Sequence, residues 1–163
     1  MMKKSPALFL AIGLLAGLSV NAVAVSTTGK LDISAIVPAQ CVVQSAALPF
    51  GVYASSALQQ NAQIGVACSA GTSYTISLDA GTGAGGNVAT RKLTTADGAN
   101  SLNYGLYQDA ARTRAWGNSS GSDTVAGVGN GSAQNVPVYG YIPAGQTARA
   151  GSYSDVVAIT LSY

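Results

Sequence analysis

The side chains able to do chemistry are few, and their types narrow what chemistry is open. The 163-residue chain has no histidine, so the usual general base near neutral pH and the commonest metal ligand are both missing. Glutamate is absent, and the six acidic residues are aspartates scattered singly at 32, 79, 97, 109, 123 and 155. No pair among them has a spacing that suggests acid/base work on a glycosidic bond. Asp109 and Asp155 lie beside aromatic and turn residues, where a carboxylate ordinarily caps a turn. Serines are plentiful, but none has a histidine to activate it. These residues point away from an enzyme, and they imply no cofactor and no metal.

Three further features carry weaker chemical readings. The run Gly81-Thr82-Gly83-Ala84-Gly85-Gly86 could cradle a phosphate. It lacks the Lys-Ser/Thr pair of a P-loop and has no helical pattern behind it, so it reads as a mobile loop between strands. Trp116, the single tryptophan, could stack on a ligand, although a lone tryptophan more commonly packs in a core or at its rim. Asn118-Ser119-Ser120 and Asn130-Gly131-Ser132 match the N-glycosylation pattern, but their glycine-rich setting reads as ordinary loop.

The two cysteines, Cys41 and Cys68, take their meaning from the N-terminus. Lys3 and Lys4 precede the apolar run 7–18, which has signal-peptide length and is short for a membrane span of roughly 20 residues. Ala22-Val23-Ala24 follows as an A-x-A pattern. Residues 1–24 are therefore expected to be a signal peptide cleaved after Ala24, with cleavage after Ala22 the alternative. Export favours pairing the two cysteines in an oxidising compartment. A bridge closing that loop would contribute roughly 3–4 kcal/mol by loop entropy. The formal charge of +2 also changes meaning, because Lys3 and Lys4 leave with the signal. What remains is two Lys and four Arg against six Asp, a neutral balance without the basic surface that a nucleic-acid partner needs.

The elements that must carry these residues read as strands. Leu31–Ala35, Ile64–Cys68, Tyr74–Leu78 and Val157–Tyr163 alternate apolar and polar with period two. Cys41–Val43, Leu102–Tyr107 and Val136–Ile142 are further candidates. Asp97-Gly98 and Asn130-Gly131 are turn dipeptides. No helical periodicity follows Ala24, and about seven short strands at this spacing predict a β-sandwich in one domain. The arm Val25–Val37 has Leu31, Ile33, Ala35 and Val37 on one face. An ordinary first strand and a strand given to another molecule account for it equally well.

The order of motifs resembles a known family. Leu48-Pro49-Phe50-Gly51-Val52-Tyr53, the strand Ile64–Cys68 with Tyr74–Leu78 behind it, and Tyr104–Arg114 with Trp116-Gly117 resemble spore coat protein U domains. Tyr139–Gln146, Gly151–Asp155 and the terminal strand to Tyr163 continue the resemblance. That family includes subunits of archaic, Csu-type chaperone–usher pili. The resemblance implies an all-β fold, an incomplete immunoglobulin-like β-sandwich completed by a donated N-terminal strand. Residues 25–35 would be the donor extension, with Leu31, Ile33 and Ala35 filling a groove, and residues 36–163 the pilin domain. Val157, Ile159, Leu161 and Tyr163 would flank the acceptor groove and face the chaperone. Cys41 and Cys68 match the family's disulfide between its first two strands. The implied partners are other pilin subunits, a periplasmic chaperone and an outer-membrane usher, with no nucleic acid. The implied role is a cell-surface pilus subunit, joined by donor-strand exchange, that supports attachment and biofilm formation. The alternatives are a secreted self-assembling coat protein and a monomeric secreted module binding ligand through Trp116 and the tyrosines.

Overall fold

The computed structural model describes residues 23–163. Most of the expected signal peptide, residues 1–22, lies outside the described residues. The chain divides into two units, Met1–Ala35 and Ile36–Tyr163. In the described part of the first unit no residue is in a strand, and Leu31 and Ile33 are 84% and 85% exposed. The strand read at Leu31–Ala35 is therefore not formed within the single chain. Alternation specifies which face a strand would bury, but a strand also needs a backbone partner, and this segment has none here.

The second unit contains eight strands: β1 (Cys41–Val43), β2 (Leu58–Cys68), β3 (Ser73–Leu78), β4 (Arg91–Thr94), β5 (Ser101–Tyr107), β6 (Val125–Val128), β7 (Ala133–Ile142) and β8 (Ile159–Ser162). One sheet has the order β1-β2-β7-β5-β4 and the other β6-β3-β8. Every ladder is antiparallel. The inward residues of both sheets form one core, with Ile64 and Val66 from β2, Ile76 and Leu78 from β3, Leu106 from β5, and Val138 and Ile142 from β7. That is the burial which period-two alternation demands of a sheet with one covered face.

Local chemistry sets the connections. Gly98, at φ +70°, turns the β4–β5 hairpin beside Asp97, and its N–H donates to the Thr95 carbonyl. Gly131, at φ +81°, lies between β6 and β7, which belong to different sheets. Pro137 is tolerated in β7 because the β5 ladder covers Gly105–Tyr107 against Tyr139–Tyr141 and stops short of it. Cys41 and Cys68 lie directly opposite one another in the β1–β2 ladder and are bonded, with an S–S distance of 2.00 Å. β4 and β6 escape sequence reading. Each has four residues, one carrying adjacent Arg91 and Lys92 and the other the small sequence Val-Ala-Gly-Val.

Candidate functional site: an open edge beside the core

The two sides of the sandwich close differently. Around Trp116 the interior is sealed and saturated with hydrogen bonds. Trp116 has no exposed surface, and its indole N–H donates to the Ile76 carbonyl at 3.0 Å. This overturns the ligand-stacking reading of Trp116, since a ring enclosed by core atoms presents no face to a ligand. Beside it lies Arg91, also without exposed surface. Its guanidinium donates to the carbonyls of Asp79 (2.7 Å), Val88 (3.0 Å), Leu78 (3.1 Å) and Trp116 (2.8 Å). Burial lowers the Arg91 pKa, opposed by the nearby Tyr104, Asp79, Asp155 and Asp123. Sequence reading missed this residue, because an arginine beside a lysine in a short segment looks like exposed hairpin.

Asp155 does more than cap a turn. Its carboxylate accepts from the Thr82 N–H (2.7 Å), the Thr82 hydroxyl (2.9 Å), the Gly83 N–H (3.2 Å) and the Tyr104 hydroxyl (2.7 Å). Burial raises the Tyr104 pKa, and the Asp155 hydrogen bond raises it further. The glycine-rich loop thus wraps an anion, but the anion is the protein's own. A Cβ on Gly81 would come within 2.1 Å of the Asp155 carboxylate, and one on Gly83 within 2.0 Å of the Lys92 carbonyl. The mobile-loop reading is corrected accordingly: these contacts tie the loop to the segment leading into β8. Asp109 does cap, accepting from the N–H groups of Arg114 and Thr113 and from the Thr113 hydroxyl, which hold its pKa low. Among the described residues, no group of three or more potential ligands could hold a metal ion.

The opposite side is open. β8 pairs with β3 along one edge, from Leu78 opposite Ile159 to Thr75 opposite Ser162, and no described strand pairs with its other edge. Across the gap lies the irregular segment 44–57, which forms no strand; backbone bonds hold its ends, Gln44 N–H to the Gly65 carbonyl and Gly145 N–H to the Ser55 carbonyl, and side chains hold its middle. Leu48 and Phe50 pack over Gly140, where a Cβ would come within 2.8 Å of either. Phe50 meets Tyr104 edge-on at 6.0 Å. The Tyr53 hydroxyl donates to the Pro143 carbonyl and accepts from the Gln146 N–H, both at 2.9 Å. The sequence element Leu48–Tyr53 therefore builds a wall. Between that wall and β8 runs a trench of about 160 Å³, walled by Ala46, Ala47 and Leu48 on one side and Val157 and Ile159 on the other. Its floor includes Ile64, Leu78 and Val138, so the core itself is reached through the gap.

The residues expected to flank a groove divide here. Val157, Ile159 and Leu161 are half-buried and pack against the core, while their alternates Val156, Ala158 and Thr160 are exposed. Tyr163 follows β8, is 62% exposed, and lies by a shallow depression with Ser73, Thr75 and Val128.

Two antiparallel sheets face to face, with an edge strand bordering an accessible core, define an immunoglobulin-like sandwich with one open side. The Spore Coat Protein U domain model matches residues 27–160, and the chain belongs to that family. It is 32% identical over 156 residues to Protein U of Myxococcus xanthus, across 86% of this chain and 87% of that protein. Its fold is similar to a chain in the crystal structure of the CsuC–CsuE chaperone–tip adhesion subunit pre-assembly complex from archaic chaperone–usher Csu pili of Acinetobacter baumannii. The TM-score is 0.57 at 22% identity over 78% of this chain. The match spans 40% of that longer chain.

Proposed function

We propose that this protein is a structural subunit of an exported, strand-linked pilus of the archaic chaperone–usher type, polymerising by donor-strand exchange and supporting surface attachment and biofilm formation. The observation that carries the reading is the unpaired outer edge of β8 beside a trench opening into the core. An unpaired apolar edge invites a further strand, which satisfies its backbone groups and fills the pockets between its side chains. The arm Val25–Ala35 has the matching pattern, with Leu31, Ile33 and Ala35 on one face and no strand partner of its own. Burying three or four such aliphatic side chains is worth roughly 5–12 kcal/mol, against a net domain stability of about 5–15 kcal/mol. A subunit left open would therefore be marginal. A periplasmic chaperone strand would cover the edge in transit, and at the outer-membrane usher the arm of another subunit would replace it. Family membership and the fold shared with a chain of the Csu complex support the same reading.

Deleting Val25–Ala35 is expected to abolish polymerisation while leaving capture by the chaperone intact, read by electron microscopy of surface fibres and co-purification. Normal fibres from the truncated chain would sink the proposal. The likeness to Protein U over 87% of its length supports a second reading, a secreted self-assembling coat protein that closes its own edge. Folding to a soluble monomer without any chaperone would favour that reading.

A further inference from the structure

The open edge of β8 has a defined parity. The Asp79 N–H donates to the Ala158 carbonyl at 3.2 Å, and the Ala158 N–H donates to the Asp79 carboxylate at 2.9 Å. Ala158, and by the alternation of an antiparallel ladder Thr160 and Ser162, thus turn their backbone groups toward β3. Val157, Ile159 and Leu161 turn theirs to the open edge. These three also face the core. Just before them sits Val156, 70% exposed, and there the trench gives way to a wider cavity of about 840 Å³. The cavity runs between Leu48–Tyr53 and Ala148–Asp155 and shares Leu48, Phe50, Leu93 and Asp155 with the trench. On the other side stand Ile36 and Val37, 93% and 86% exposed; Val37 continues the alternation of the arm beyond Ala35, and Ile36 falls on its opposite face.

We propose that Ile36 and Val37 of a second copy of this chain complete the interface, Ile36 packing on Val156 and Val37 entering the wide cavity. This rests on the donated-strand reading above and adds its register. Every ladder among the described residues is antiparallel, and an antiparallel addition runs the arm from the Leu161 end of β8 toward Val157. With Ile33 opposite Ile159, Leu31 falls opposite Leu161 and Ala35 opposite Val157, in hydrogen-bonded pairs facing the core. Ile36 then falls opposite Val156 in a non-hydrogen-bonded pair, where side chains approach most closely. Val37 falls opposite Asp155, on the lining of the wide cavity. A slip of one residue would turn Leu31 and Ile33 to solvent. A slip of two one way sets the polar Ser34 against Val156 and brings Ile36 to Ser154, an exposed serine that offers no apolar contact. A slip of two the other way sets Pro38 against Val156 and leaves Ile36 opposite Ala158. The exposed valine and the exposed isoleucine meet in one register.

The test uses a peptide of residues 25–40 carrying Ile36→Cys, co-expressed in an oxidising bacterial periplasm with the full chain carrying Val156→Cys or Ala158→Cys. Opposed residues in a non-hydrogen-bonded pair come close enough for a disulfide. The expected result is a mixed disulfide with Val156→Cys, at least about tenfold more abundant than with Ala158→Cys, seen on non-reducing gels and mapped by mass spectrometry. Equal or reversed yields would overturn the register. So would a soluble full chain rescued by the unsubstituted peptide with no disulfide at either site. In both cases strand donation itself would stand. Neither rescue nor disulfide would remove strand donation and this inference together.

Discussion

β3 and β8 are neighbours in one sheet with the same period-two pattern, and they are buried to different depths. Tyr74, Ile76 and Leu78 of β3 are exposed by 5% or less. Val157, Ile159 and Leu161 are half-buried, although they face the same core. β3 is hydrogen-bonded to a strand on each side, β6 and β8, whereas among the described strands β8 is hydrogen-bonded only to β3. The difference teaches that alternation states which face a strand turns inward and nothing about how many neighbours it has. The shallower burial along β8 goes with its free edge, the edge at which the proposed function would act.

The comparison can be broken at either strand. Ile76→Ala should destabilise the fold by about 2–5 kcal/mol, because a fully enclosed side chain leaves a cavity. The loss should be the same with and without a peptide of residues 25–40, measured by denaturant unfolding. Ile159→Ala should cost about 1 kcal/mol in the free chain and roughly 2–4 kcal/mol with the peptide bound, since the peptide completes the burial of that side chain. Equal losses in both states would mean that β8 already has its full set of neighbours. The smallest effect is expected far from both strands, as a control. Asp109 is held at a lowered pKa by the Arg114 N–H and by Thr113. Its contribution to stability is therefore present above the ordinary aspartate value of about 3.9 and is lost as pH falls through the lower folded value. Asp109→Asn should lower the melting temperature by a few degrees at most at neutral pH. That gap should close on acidification below about pH 4 and should not respond to the peptide.

Much of the fold was legible because its strands declare themselves by period two. Tyr74–Leu78, Leu102–Tyr107 and Val136–Ile142 need only alternation and flanking turns to be read, and the export signal favoured pairing the two cysteines, which the structure shows bonded. Arg91 was not legible. A buried arginine is possible here because four carbonyls converge on it from three separate stretches of chain, and no local pattern announces such convergence. The role of Asp155 was half legible, as a turn residue, while its grip on Thr82 and Gly83 spans more than seventy residues.

The sequence by itself determined the inward face of each strand, the cysteine pair, and an apolar alternation near each end. It did so because side-chain direction in an extended chain depends only on parity. Which strands lack a neighbour was decided by the tertiary structure alone. Backbone hydrogen bonding is blind to side-chain type, so the free edge of β8 and the wall of Leu48–Tyr53 facing it come into being only when distant segments are brought together.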